Sequence, residues 1–117
     1  MFRFEELTVY KDALEFTNWI YKITANWPKS ELFGLTDQLK RASVSICLNI
    51  AEGTSRSQRD FGHFLDIARG SCYECVAIAS IARANNLLSP NDYFKLYENC
   101  EVIAKKLSAL KNKVAGS

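Results

Sequence analysis

Histidine is nearly absent from this chain: one of its 117 residues, His63, is a histidine. Helical proteins that hold a pair of metal ions use repeated Glu-x-x-His motifs, and no glutamate stands three residues before His63. That excludes ferritin-like chemistry, and so scarce a base leaves no Ser-His-Asp or Cys-His arrangement. His63 reads as a solvated rim residue. Glycine is scarce as well, at five residues, and none forms the glycine-rich loop that cradles a phosphate. No run of about 18 apolar residues exists, so nothing is expected to span a membrane. Charge of one sign is also lacking: the formal net charge is +2, too small to mark a nucleic-acid binder by itself. The start, Met1-Phe2-Arg3-Phe4-Glu5-Glu6, puts acids where a signal peptide needs an apolar core. A cytoplasmic location is therefore expected.

Four cysteines are present, and in the cytoplasm they are reduced thiols by default. Cys72-x-x-Cys75 has the spacing of half a zinc site, for which Cys47 and Cys100 are the candidates to complete the set. All four fall on apolar helical rows, where a thiol packs as a small hydrophobe. The Cys72-Cys75 pair is mid-helix, away from the helix start that would lower a thiol pKa. The cysteines are read as structural, with no metal, cofactor or small-molecule substrate inferred and no catalytic residue assigned.

What the sequence does have is long helical periodicity with little proline or glycine to break it. The first helix is expected over about 5–26, with Val9, Ala13, Phe16, Ile20 and Ile23 on one apolar row. Pro28 stops it, and Ser30 is placed to cap a second helix over about 31–53. Ser57-Gln58-Arg59-Asp60 resembles a capping box and opens a third helix over about 58–84. Its rows carry many small residues, including Ala68, Cys72, Cys75, Ala79 and Ala82. Gly70 lies mid-helix, where it costs ~1 kcal/mol against alanine; close backbone packing is the expected reason. Ser89-Pro90-Asn91-Asp92 is a strong start for a fourth helix over about 90–113. Helices of this length joined by short turns run antiparallel. The expected fold over residues 1–117 is a single all-α domain: an up-down-up-down four-helix bundle with left-handed twist.

The second helix organises the chain. Leu32, Leu35, Leu39, Ala42, Ile46, Asn49 and Gly53 step by three and four, the seam that faces a neighbouring helix. Phe33, Val44, Leu48 and Ala51 form a further apolar row on another side, and the third helix adds Ile78 and Ile81. A bundle gives each helix one inward stripe, so these six residues are the candidate contacts with another subunit. A polar set of Arg41, Asn49, Glu52, Ser71 and Glu74 is read as fixing helix register. Arg41 is expected to meet Glu74, while Asn49 and Glu52 should meet Arg56, Arg59 or Asp60. The basic residues Lys40, Arg41, Arg56, Arg59, Lys105, Lys106, Lys111 and Lys113 are the candidate phosphate contacts.

The run Gln38-Leu39-Lys40-Arg41-Ala42, then Ser45-Ile46 and Asn49-Ile50-Ala51-Glu52-Gly53, resembles the four helix bundle protein family. That family is associated with intervening sequences of bacterial 23S ribosomal RNA genes. Asp60-Phe61, Phe64-Leu65, Ala68, Gly70-Ser71 and Glu74 extend the resemblance, which covers about residues 4–110. It implies a homopentamer. Through the related accessory protein of diversity-generating retroelements, it also implies a non-enzymatic adaptor for RNA or a ribonucleoprotein partner. An oligomeric protein-protein scaffold is the alternative. Many members carry proline where this chain has Cys47, so a straighter second helix is expected here. Many also carry a second acid at the position of Val76.

Overall fold

The chain folds, in a computed structural model that describes residues 1–116, into four long helices. The expected 1–117 domain ends on Ser117, which lies outside the described residues. The helices are α1 (Thr8–Thr24), α2 (Leu35–Thr54), α3 (Gln58–Ala84) and α4 (Pro90–Ala115), with short 3₁₀ turns at Arg3–Glu6 and Lys29–Glu31. Among the described residues there is no strand.

Residue pairs across the helix boundaries fix the direction of each helix. Thr17 of α1 meets Cys47 of α2 at 3.5 Å, and Ser45 of α2 meets Ser71 of α3 at 2.9 Å. Asp66 of α3 meets Lys111 of α4 at 2.6 Å, and Asp12 of α1 meets Lys106 of α4. Consecutive helices therefore run antiparallel, and α4 returns beside α1 to close the square. The α2–α3 and α3–α4 packings are intimate, α1 leans mainly on α2, and the α1–α4 edge is thin. The resulting rod measures 46 × 22 × 19 Å.

Close packing on α3 follows from its small residues. Ala68, Cys75, Ala79 and Ala82 are fully buried, so two neighbouring helices approach its backbone. Larger side chains fill both halves of the core: Phe61, Leu65, Ile46, Ile50, Ile103 and Leu107 toward one end, Ile20, Leu39 and Leu96 toward the other. The buried Thr17 and Thr24 hydroxyls donate to the carbonyls of Ala13 and Ile20, each at 2.8 Å, which satisfies them inside their own helix.

Four boundaries differ from expectation, one of them the end of the fourth helix, which runs to Ala115, two residues past the expected 113. Leu7 is extended, with φ −73° and ψ 128°, so the first helix starts at Thr8 and a 3₁₀ turn precedes it. It also ends at Thr24, two residues before the expected Asn26. The second helix starts at Leu35, because Gly34 sits where a helix would have to continue and disfavours it. Ser30 therefore caps nothing. It lies inside the 3₁₀ turn, and Leu32 and Phe33 fall outside the helical row. From Leu35 to Thr54 α2 is continuous through Cys47, as the absence of proline there allows.

The other starts and stops are as the residues dictate. The Ser57 hydroxyl accepts from the Asp60 amide at 3.3 Å, and the Ser89 hydroxyl from the Asp92 amide at 3.1 Å. The α3 helix ends with Asn86 in the left-handed region at φ 60°. The Leu87 amide reaches the Ala82 carbonyl at 2.9 Å and the Asn86 amide reaches Arg83 at 3.1 Å, the paired bonds of a Schellman ending.

Candidate interaction surfaces

The expected register network assembles in part. Asn49 donates to both the carbonyl and the hydroxyl of Ser45, at 2.8 and 3.0 Å. Ser45 in turn shares its hydroxyl with the buried Ser71, joining α2 to α3. Ser45 is thus the centre of the network, and the sequence reading missed it. The available signal was its position four residues before Asn49, on the same helical face. Glu52 pairs with Arg56 at 2.5 Å, as expected, and that carboxylate raises the Arg56 pKa. Arg41 does not reach Glu74. It pairs within its own helix with Asp37 at 3.1 Å, because an i, i+4 acid is closer than one across the groove. Glu74 is exposed and outside the network.

The basic candidates do not form one patch. Arg56, Arg59, Lys111 and Lys113 share the end of the rod where α2 stops, α3 starts and α4 stops. A shallow depression there is lined by Arg59, His63, Asp66 and Lys111, which puts the single histidine on a rim. Lys40 and Arg41 lie some 14 residues back along α2, roughly 20 Å away at 1.5 Å per residue. Among the described residues, ion pairs join Arg41 with Asp37, Arg56 with Glu52, Lys106 with Asp12 and Lys111 with Asp66. Lys40 lies over the Tyr21 ring at 4.7 Å.

The surplus apolar surface divides into two areas. Leu48, 63% exposed, stands at the centre of the outer face of α2 with half-buried Val44 and Ala51 on either side. Phe2 and Phe4, stacked with centroids 6.0 Å apart, line a shallow depression with Leu48 and Ala51. These two aromatics were not among the sequence candidates. At the opposite end Phe33, 91% exposed, lies level with exposed Ile81 by the register that the Ser45–Ser71 contact sets. Ile78 is different: it is buried in the chain's own core, because it turns toward α2 rather than outward.

All four thiols are free and buried. Burial pushes Cys72 up to about 12 from 9.0, reinforced by Cys75. A hydrogen bond to the Cys75 sulfur raises Cys100, and burial adds to it. Burial likewise raises Cys47. Cys47, Cys72 and Cys100 therefore stay protonated at neutral pH and are poor nucleophiles. Among the described residues, no group of three or more His, Cys, Asp or Glu side chains is arranged to hold a metal ion. Nor is any helix among them long and apolar enough to cross a membrane.

Residues 5–109 match the profile of the 23S rRNA-intervening sequence protein family. Among solved structures, a protein of unknown function from the S23 ribosomal protein family of Bacteroides thetaiotaomicron superposes with a TM-score of 0.79 at 25% identity. The alignment covers 89% of this chain and 98% of that one. No curated protein matches the chain.

Proposed function

The chain belongs to the 23S rRNA-intervening sequence protein family, and from that premise we propose that it is a non-catalytic, self-assembling helical adaptor. The observation that carries this reading is the exposed Leu48, ringed by Val44, Ala51 and Phe2 on a helix whose other side already faces the core. A side-by-side contact through that face, made against a different face of the next copy, is heterologous and closes into a ring. The stoichiometry proposed is five, from the family resemblance.

Light scattering after size exclusion, over a dilution series, is expected to give a mass of about five chains. Leu48→Glu should shift it toward the single chain of 13.3 kDa while leaving helical content unchanged. Each fully buried leucine contributes about 1.5–3 kcal/mol, and a ring repeats the loss at every interface. A wild-type monomer at micromolar concentration would overturn the reading.

An RNA partner is the second reading, supported by the basic end that holds Arg56, Arg59, Lys111 and Lys113. If several phosphates are neutralised there, affinity for mixed RNA should fall by orders of magnitude between ~50 and ~200 mM salt. Charge reversal at Arg59 and Lys113 should weaken it. A salt-independent affinity would favour the protein-scaffold alternative.

A further inference from the structure

Along the boundary of α3 and α4 runs a groove of about 610 Å³. Its walls are the rings of Tyr73 and Tyr97, 59% and 41% exposed, and its floor is made by the buried Cys72 and Cys100. Tyr97 is propped by Tyr93, whose ring centroid lies 6.2 Å away. A concave apolar site with a few convergent polar groups is the usual form of a small-molecule site.

The polar groups are not spread evenly. Asp66 opposite Lys111 and Ser80 opposite Tyr93 fix the antiparallel register of the two helices. By that register Arg69 and Lys105 stand at nearly the same height, at one end of the groove. Val76, Ala77 and Tyr97 form the other end. Arg69 is held in place: its Nη2 donates to the Tyr73 hydroxyl at 2.8 Å, and its guanidinium lies 4.9 Å from that ring's centroid. Among the described residues, Arg41, Arg56, Lys106 and Lys111 each engage a carboxylate, whereas Arg69 and Lys105 engage none. Glu101 also lines the groove, one turn from Lys105 toward Tyr97, and leaves the site with two cations against one acid. The depression between α1 and α4 is not cationic in the same way: Asp12, Glu15 and Glu98 line it beside Lys22, Lys95 and Lys106, Lys106 pairs with Asp12, and Lys95 covers Trp19.

A trough with aromatic walls and cations at one end is complementary to an anionic amphiphile. We propose that the α3–α4 groove binds a medium-chain carboxylate. Its head group accepts from Arg69 and Lys105, a charge-assisted pairing. Its hydrocarbon lies between Tyr73 and Tyr97 over the two thiols. From Lys105 to Tyr97 the helix rises ~12 Å at 1.5 Å per residue, which suits a chain of medium length. The site is separate from the Leu48 face and does not rest on the assembly reading, which is scored by mass rather than by ligand affinity.

Calorimetric titration of the full chain with decanoate, decan-1-ol and decyltrimethylammonium tests this. One decanoate per chain is expected, bound about tenfold or more tighter than decan-1-ol, as a charge-assisted hydrogen bond implies. The cationic analogue should bind weakest. Arg69→Gln with Lys105→Gln should bring decanoate down to the level of decan-1-ol and leave decan-1-ol unchanged. Ala104→Phe should plug the groove against both; because Ala104 is half-buried, Ala77→Trp on the exposed wall serves as a second plug, with circular dichroism to verify folding. Equal affinity for decanoate and decan-1-ol, indifference to the paired substitution, or binding that survives both plugs would overturn the proposal. Dissociation of assembled copies by decanoate would also overturn it, since a second copy would then be the groove's occupant.

Discussion

Gly53 and Gly70 both lie inside helices, and their surroundings are opposite. A Cβ on Gly53 would stand 2.8 Å from Phe61 Cδ1 and 3.0 Å from the Phe64 Cβ, where the turn between α2 and α3 folds back. A Cβ on Gly70 would meet nothing within 4 Å, so the expected close backbone approach is not what keeps it a glycine in a single copy. Gly53→Ala should destabilise the chain by roughly 1–3 kcal/mol, because the phenylalanines must shift. Gly70→Ala should stabilise it by up to ~1 kcal/mol through helix propensity. Urea unfolding of the two variants checks both signs. The sequence assigned the close approach to Gly70 rather than to Gly53, because what separates them is tertiary. The polar seam residue was legible for the same reason in reverse: an amide on an apolar row must find a partner, and Asn49 does, although in Ser45 rather than across the turn.

At the scale of the element, capping chemistry was read more reliably than helix length. Ser57 and Ser89 take the places their spacing predicts because a hydroxyl acceptor three residues before an orphan amide is a local matter. Ser57→Ala and Ser89→Ala should each cost about 1 kcal/mol, measurable as a lower denaturation midpoint with an unchanged slope. The start of α2 was misplaced for a corresponding reason. Ser30 and Glu31 look like a cap locally, but the chain spends them in a 3₁₀ turn before Gly34. Apolar periodicity carried the second helix too far back, through Leu32 and Phe33, because the row takes no account of the glycine beside it. The α3–α4 groove was not legible at all. Nothing in the spacing of Tyr73, Tyr97 and Arg69 says that two helices set them side by side.

For the whole molecule, four antiparallel helices with one shared core follow from turns too short to permit anything else. How the surface charges divide does not. Each acid within reach of a cation removes it from a field that composition counts as basic, and that reach depends on helix register. The same register makes the square uneven, since α1 rests mainly on α2 and its edge against α4 is thinner, with exposed contacts such as Asp12–Lys106 along it. One consequence is kinetic. Excursions that peel α1 away while α2, α3 and α4 stay together should be the lowest-energy opening of the native state. Such an opening breaks the Thr17–Cys47 contact and bares one thiol, while Cys72, Cys75 and Cys100 remain inside the other three helices. Under native conditions, a thiol reagent should therefore modify Cys47 first, and the α1 amides should exchange with solvent at that same rate-limiting event, well before the rest.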